Sequence, residues 1–140
     1  MFYSNKGDVV LPITVEPQIS PIAITNLPHG GRGGGFGGRG PGTPPMTLFA
    51  SSSRDKKTGD VILKVVNAVD MPQQMEIKLE GAAKVGKKAK MEVLTGELTA
   101  VNSIAEPMKV APKSSTITAS AKFVYEFPGD TVSVIRFSTK

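Results

Sequence analysis

The side chains that could do chemistry in this sequence are carboxylates, hydroxyls and amines. It contains no cysteine and a single histidine, His29. Thiolate chemistry and disulfides are therefore excluded, and a histidine triad or a multi-histidine metal site has no residues to build on. Two carboxylate pairs are worth weighing: Asp55 with Asp60 in SRDKKTGD, and Glu76 with Glu80 in QQMEIKLEG. A retaining glycosidase sets two carboxyl groups about 5 Å apart across the bond it cleaves. Glu76 and Glu80 share one face of an alternating stretch, but Lys78 stands between them. The remaining acids fall in turns or on polar strand faces, so no catalytic residue is assigned. Calcium requires clustered oxygen ligands, and the basic neighbours Arg54, Lys56 and Lys57 oppose a cation beside Asp55 and Asp60. Asp and Gly together at this spacing are turn chemistry. No metal-binding and no cofactor-binding residue is assigned.

Arginine and glycine raise a different chemistry. HGGRGGGFGGRGPG, residues 29–42, sets Arg32, Phe36 and Arg39 among glycines, and the chain carries a net charge of +5. Arginine can contact phosphates and an aromatic ring can stack on bases. Two arginines and one phenylalanine make a short version of such a segment, whereas a flexible linker needs nothing but glycine. The charge is also dispersed: only three of the 17 basic side chains precede Thr47. The densest basic run, KVGKKAK at Lys84–Lys90, contains a glycine and reads as a solvated turn between strands. Nucleic acid is not the expected partner.

The elements that must position these groups read as β-structure. A chain of 140 residues suits one domain with its own core. No apolar run is long enough to span a membrane. The start, MFYSNKGDVVLP, lacks the charged head and apolar core of a signal peptide. Met1 can equally be an internal methionine of a longer protein, so localisation is left open. Composition changes near Thr47. Residues 1–28 read as an extended segment, with DVVLP and PIAIT as short strands that prolines confine to edges. Residues 29–46 read as a Gly/Pro-rich flexible loop. Residues 47–140 carry a series of strands. VILKVVN is apolar throughout, as in a strand buried on both faces. QQMEIKLEG alternates, with Met75, Ile77 and Leu79 on one side. TVSVIRFS puts Val132, Val134 and Arg136 on one face and Thr131, Ser133, Ile135 and Phe137 on the other. Ser103 and Glu106 in NSIAEP have capping-box spacing, which Pro107 limits to one turn of an ordered loop. No stretch holds a helical period over three turns, so the fold class is an all-β antiparallel sandwich or barrel.

Several of these blocks, in order, resemble a known family. LFASSSRDKKTGDVILKVVNAVDMPQQMEIKLEG, LTGELTAVNSIAEPMKVAP and FVYEFPGDTVSVIRF look like the C-terminal β-sandwich of the family-51 α-L-arabinofuranosidases. MFYSNKGDVVLP is similar to the segment by which that family's chain leaves its catalytic barrel. The resemblance covers residues 1–13 and 47–140. It implies a jelly-roll-like sandwich that accompanies a TIM barrel, with both catalytic glutamates on barrel strands. No residue of this sequence matches those glutamates, so none is carried over.

The function implied is that of an accessory C-terminal domain, a fragment of an enzyme that removes terminal arabinofuranosyl groups from arabinan and arabinoxylan without a cofactor. By itself the chain is expected to be non-catalytic. The implied partners are the catalytic barrel, arabinose-containing polysaccharide through the parent enzyme, and a homo-oligomer. The family's sandwich also borrows strands from the far N-terminus of the enzyme, so one sheet is expected to show an unpaired edge. Gly129-Asp130 departs from the family's usual corner, which implies a looser turn there. Two other classes stay open: a stand-alone binding or interaction sandwich, and an RGG-type RNA-binding protein. The first lacks aromatic platforms, with no tryptophan and only Tyr3 and Tyr125 as tyrosines.

Overall fold

The computed structural model describes residues 5–15, 47–82, 84–97 and 99–139. They form an all-β antiparallel sandwich of eight strands: β1 (Val9–Leu11), β2 (Leu48–Arg54), β3 (Val61–Asn67), β4 (Gln73–Lys78), β5 (Val85–Thr95), β6 (Lys113–Thr118), β7 (Lys122–Phe127) and β8 (Thr131–Thr139). Six strands make the larger sheet in the order β1-β2-β3-β8-β5-β6, and β4 pairs with β7 in the smaller one. Among the described residues no helix is long and apolar enough to cross a membrane.

Period-two alternation sets which side chains meet. On β3, Val61, Leu63 and Val65 face the second sheet; on β8, Ile135 and Phe137 do; on β5, Ala89 and Met91 do. Ile77 of β4 and Phe127 of β7 close over them. Phe123 meets Phe137 edge to face at 5.9 Å, and Tyr125 meets Phe127 at 4.9 Å. Fully burying side chains of this size contributes about 1.5–3 kcal/mol each, so the row from β3 through β8 to β5 is the main source of cohesion.

Three local expectations are corrected. VILKVVN is not buried on both faces along its whole length: Ile62 is buried on the outer face, Lys64 is half-buried and Val66 is exposed. Its apolar character reflects β-branched preference as much as burial. KVGKKAK is not a turn. Lys84 ends the connection from β4, and Val85 opens β5, whose register against β8 shifts between Val85 and Ala89. Gly86 lies in this bulge, 3.4 Å from Ser138 O at the position a Cβ would take, and the lysines at 87, 88 and 90 stand exposed along the strand. The Gly129-Asp130 corner is tight. A Cβ on Gly129 would fall inside the Asp70 carbonyl group, and Asp130 donates its N–H to Val69 O at 2.8 Å. Asp130 takes the left-handed conformation, φ 47°, which Asp tolerates better than most residues.

The two sheets are unequal, and that leaves surface uncovered. With only β4 and β7 opposite, the inward side of β1, β2 and the near part of β3 borders an open cleft of about 600 Å³. Leu11, Leu48, Ala50, Leu63, Ile77 and Phe127 line it. Pro12 follows β1 directly, as suits the edge of a sheet.

Candidate functional site

The outer face of the six-stranded sheet, turned away from β4 and β7, carries the densest polar constellation. Register places its side chains in rows. Ser53, Ile62, Arg136, Lys90 and Thr116 form one row across β2, β3, β8, β5 and β6. Ser51, Lys64, Val134, Glu92 and Ser114 form the next. Phe49, Val66, Val132 and Leu94 form the third. The sheet therefore grades from charged to apolar along its strands.

A recess of about 460 Å³ opens over the charged rows, lined by Asn5, Asp55, Lys90, Glu92, Val134 and Arg136. Arg136 Nη1 lies 3.3 Å from Asp55 Oδ2 and 3.1 Å from Asp60 Oδ2. The turn between β2 and β3 brings those carboxylates together. Asp55 accepts the N–H of Lys57 at 2.9 Å and of Thr58 at 3.3 Å through Oδ1, and its own carbonyl accepts the N–H of Gly59 at 2.8 Å. Gly59 has φ +78°, which this turn requires and L side chains resist. Across the recess Asn5 Nδ2 donates to Glu92 Oε2 at 3.1 Å.

Two carboxyls, Asp55 and Glu76, are held toward the charged form. The backbone N–H groups of Lys57 and Thr58, then the Arg136 guanidinium, hold the Asp55 carboxyl below the usual carboxylate range. The ammonium groups of Lys78 and Lys122, at 2.9 and 3.1 Å, do the same for Glu76. A glycosidic general acid needs its pKa raised, so both shifts run against that role. Glu80 lies past the end of β4 in an exposed turn. Among the described residues Tyr125 is pushed upward, by burial and by the charge of Glu126, and its ring packs on Phe127 in the core. Among the described residues no group of three His, Cys, Asp or Glu side chains is arranged to hold a metal ion.

Ser103 and Glu106 do meet as their spacing suggests: Ser103 Oγ accepts the Glu106 N–H at 3.0 Å, within the loop between β5 and β6. Asn102 closes that loop, accepting the N–H of Val110 at 2.7 Å and donating to its carbonyl at 2.9 Å. His29, Arg32, Phe36 and Arg39 of the glycine run, PIAIT, and Tyr3 lie outside the described residues. Sequence reasoning missed two arrangements. One is the capture of Asp55 and Asp60 by Arg136, whose only signal is a lone arginine in an otherwise apolar and hydroxylic strand. The other is the Asn5–Glu92 bond, which no local pattern announces.

The arrangement is a charged recess that grades into an apolar strand end on one face of the sheet. A family model described as the α-L-arabinofuranosidase C-terminal domain matches residues 1–130. The extracellular exo-α-L-arabinofuranosidase of Streptomyces chartreusis is 32% identical over 127 residues, which are 90% of this chain and 15% of that enzyme. An arabinose-bound family-51 α-L-arabinofuranosidase superposes with a TM-score of 0.64 at 34% identity, over 70% of this chain and 16% of the enzyme. The Thermotoga maritima α-L-arabinofuranosidase, solved as an arabinose complex, gives 0.59 at 30% identity, over 64% of this chain and 19% of the enzyme. The chain thus spans less than a fifth of the length of these relatives. The match of residues 1–130 to that family model, with these relatives beside it, shows that the chain belongs to the α-L-arabinofuranosidase C-terminal domain family.

Proposed function

We propose that this chain serves as the accessory C-terminal sandwich of an α-L-arabinofuranosidase and supports hydrolysis of terminal arabinofuranosyl groups in arabinan or arabinoxylan by a catalytic barrel carried elsewhere in the parent enzyme. The observation that carries this reading is the match to the C-terminal domain family over residues 1–130, joined to a fold whose perturbed carboxylates are held as anions by lysine, arginine and backbone donors. The organisation follows the same reading: residues 1–28 are the exit from the barrel and lend β1 to the sheet on the way, residues 29–46 are a tether, and residues 47–140 supply the rest of the sandwich. The cleft beside β4 fits a place where further strands from the parent extend the smaller sheet, since inward apolar side chains and an unpaired strand edge invite strand addition.

The test is hydrolysis of an aryl α-L-arabinofuranoside by the purified 140-residue chain. No turnover above buffer is expected. Turnover that survives repurification, and is lost on replacing a carboxylate of this chain, overturns the reading.

A further inference from the structure

We propose that the end of the sandwich where β5 begins is a binding site for a polysaccharide that carries carboxylate groups. The proposal rests on the accessory-domain reading in one respect, the choice of a polysaccharide among polyanions. The charge and its placement stand without it.

The fold gathers charge that the sequence leaves scattered. Antiparallel pairing brings the turn between β2 and β3 and the start of β5 to one end of the larger sheet, on either side of the last residues of β8. Lys56 and Lys57 come from the turn, and Lys84, Lys87, Lys88 and Lys90 from β5 and the residue before it; all are exposed. The opposite end carries Asp70, Glu97, Glu106, Glu126 and Asp130, and its described cations are Lys109 and Lys113. The two ends are therefore of opposite sign, and a polyanion drawn to one is turned away by the other.

The carboxylates at the cationic end are already engaged. Asp55 and Asp60 lie 3.3 and 3.1 Å from Arg136 Nη1, and Glu76 lies 2.9 Å from Lys78 Nζ and 3.1 Å from Lys122 Nζ. Asp8 Oδ2 accepts the N–H of Lys56 at 2.9 Å. Exposed Glu80, in the turn after β4, is the one described carboxylate of this end outside such a contact. Among the described residues, the lysines of the turn and of β5 reach no carboxylate at ion-pair distance. Their like charges repel one another, and an anion lying across them relieves that repulsion.

The bulge in β5 concentrates the effect. Between the pairs Val85–Thr139 and Ala89–Phe137, β5 sets Gly86, Lys87 and Lys88 against Ser138 of β8 alone. A regular ladder opposes residues one to one, whereas this one places its extra length at two lysines. Bulges recur where a strand re-aims side chains beside a site. Exposed hydroxyls lie among the cations: Thr118 pairs with Lys88 and Thr116 with Lys90 across the ladder to β6, and Ser138 stands beside them.

The side-chain types choose among polyanions. Proteins that hold single-stranded nucleic acid stack bases on aromatic rings. Here Phe123, Tyr125, Phe127 and Phe137 belong to the core or pack against it, and Phe49 sits at the far end of the sheet. The guanidinium fork suits phosphate, but Arg136 is held between two carboxylates and Arg54 lines the cleft on the other side of the sheet. What this end offers is lysine point charges with hydroxyls between them. Lys88 and Lys90 are two residues apart on one strand, about 7 Å. That pattern fits a polymer with one carboxylate per sugar ring, whose own hydroxyls bond the threonines.

The test is titration calorimetry of the purified 140-residue chain with polygalacturonate, its fully methyl-esterified form serving as the uncharged control. Binding is expected for the acid and not for the ester, and it is expected to vanish near about 1 M salt, where the Debye length is about 3 Å. Lys87→Gln, Lys88→Gln and Lys90→Gln together are expected to weaken it about tenfold, and arginine at the same three positions to keep it. Lys109→Gln with Lys113→Gln is expected to leave it unchanged. Should the glutamine triple fail to fold, Lys56→Gln with Lys57→Gln is expected to weaken binding about threefold. Absence of binding to polygalacturonate overturns the proposal. So does binding that these substitutions leave intact, or that the Lys109 and Lys113 pair reduces equally. Tighter binding to single-stranded RNA or to poly-L-glutamate also overturns it, by assigning the site to that polymer. Hydrolysis of an aryl arabinofuranoside by the chain alone would sink the accessory-domain reading and leave these titrations unchanged, so the two failures are distinguishable.

Discussion

Asn67 Nδ2 lies 2.9 Å from the carbonyl oxygen of Pro128, 61 residues further along the chain. The same amide donates to Met71 O at 2.9 Å and shares a longer contact of 3.2 Å with Phe127 O. Its oxygen accepts from Gln73 Nε2 at 3.2 Å. Asn67 is 1% exposed, so this side chain ties the end of β3, the start of β4 and the corner before β8 into one knot. Buried carbonyls left unpaired cost about 1–3 kcal/mol each. Asn67→Leu, close in volume, is therefore expected to destabilise the chain by about 2–4 kcal/mol. Urea unfolding followed by circular dichroism measures it. A loss below half a kilocalorie would show that water replaces the amide.

The neighbouring corner makes a steric prediction. Gly129→Ala would drive its methyl into the Asp70 carbonyl, 2.8 Å from Met71 N. Neither partner is a flexible side-chain end, so the backbone itself must move. A cost of about 2–3 kcal/mol is expected, at the upper end for overpacking. Gly86→Ala meets its nearest atom at 3.4 Å and is expected to cost less than half as much. Paired thermal melts of the two variants check the order.

Stability is expected to fall in acid, through Asp55 and Glu76. Both carboxyls are held below their ordinary values in the folded chain. A depressed folded pKa gives stability that is fully present above the unfolded pKa and is lost as pH falls through the folded one. The loss therefore begins near pH 4 and deepens below it, with little change between pH 5 and 7. Asp55→Asn keeps an oxygen for the Lys57 N–H but loses the charge facing Arg136, so its midpoint should depend less on pH in that acid window. Melting midpoints from pH 6 to pH 2 test the claim, and parallel curves for the two proteins would refute it.

The loop between β5 and β6 depends on Asn102 for its shape and not for the fold. Asn102→Ala removes both bonds to Val110, but the residue is exposed. The global midpoint is expected to change by no more than about 0.5 kcal/mol in equivalent stability. Trypsin cleavage after the exposed Lys109 should accelerate, because local opening is what exposes a loop to protease. Unchanged cleavage would show that the Ser103–Glu106 cap alone holds the loop.

Much was determined by the sequence alone. Alternation in QQMEIKLEG placed Met75, Ile77 and Leu79 inward, and TVSVIRFS split into the two faces that the structure shows, because a strand's period of two is a local property. The turn at Asp55–Asp60 and the Ser103–Glu106 cap were equally legible, since each closes within a few residues. The ordered blocks resembling the arabinofuranosidase sandwich came from the residues too, and the family match agrees. What only the tertiary structure decided is non-local. Strand order β1-β2-β3-β8-β5-β6 is what lines up Phe49, Val66, Val132 and Leu94 in one row and brings Arg136 to Asp55, 81 residues away. The bulge that turned KVGKKAK from a turn into a strand depends on its pairing with β8. Local preference can choose extended backbone, but which strand lies beside which is set by long-range pairing and by burial of one shared core.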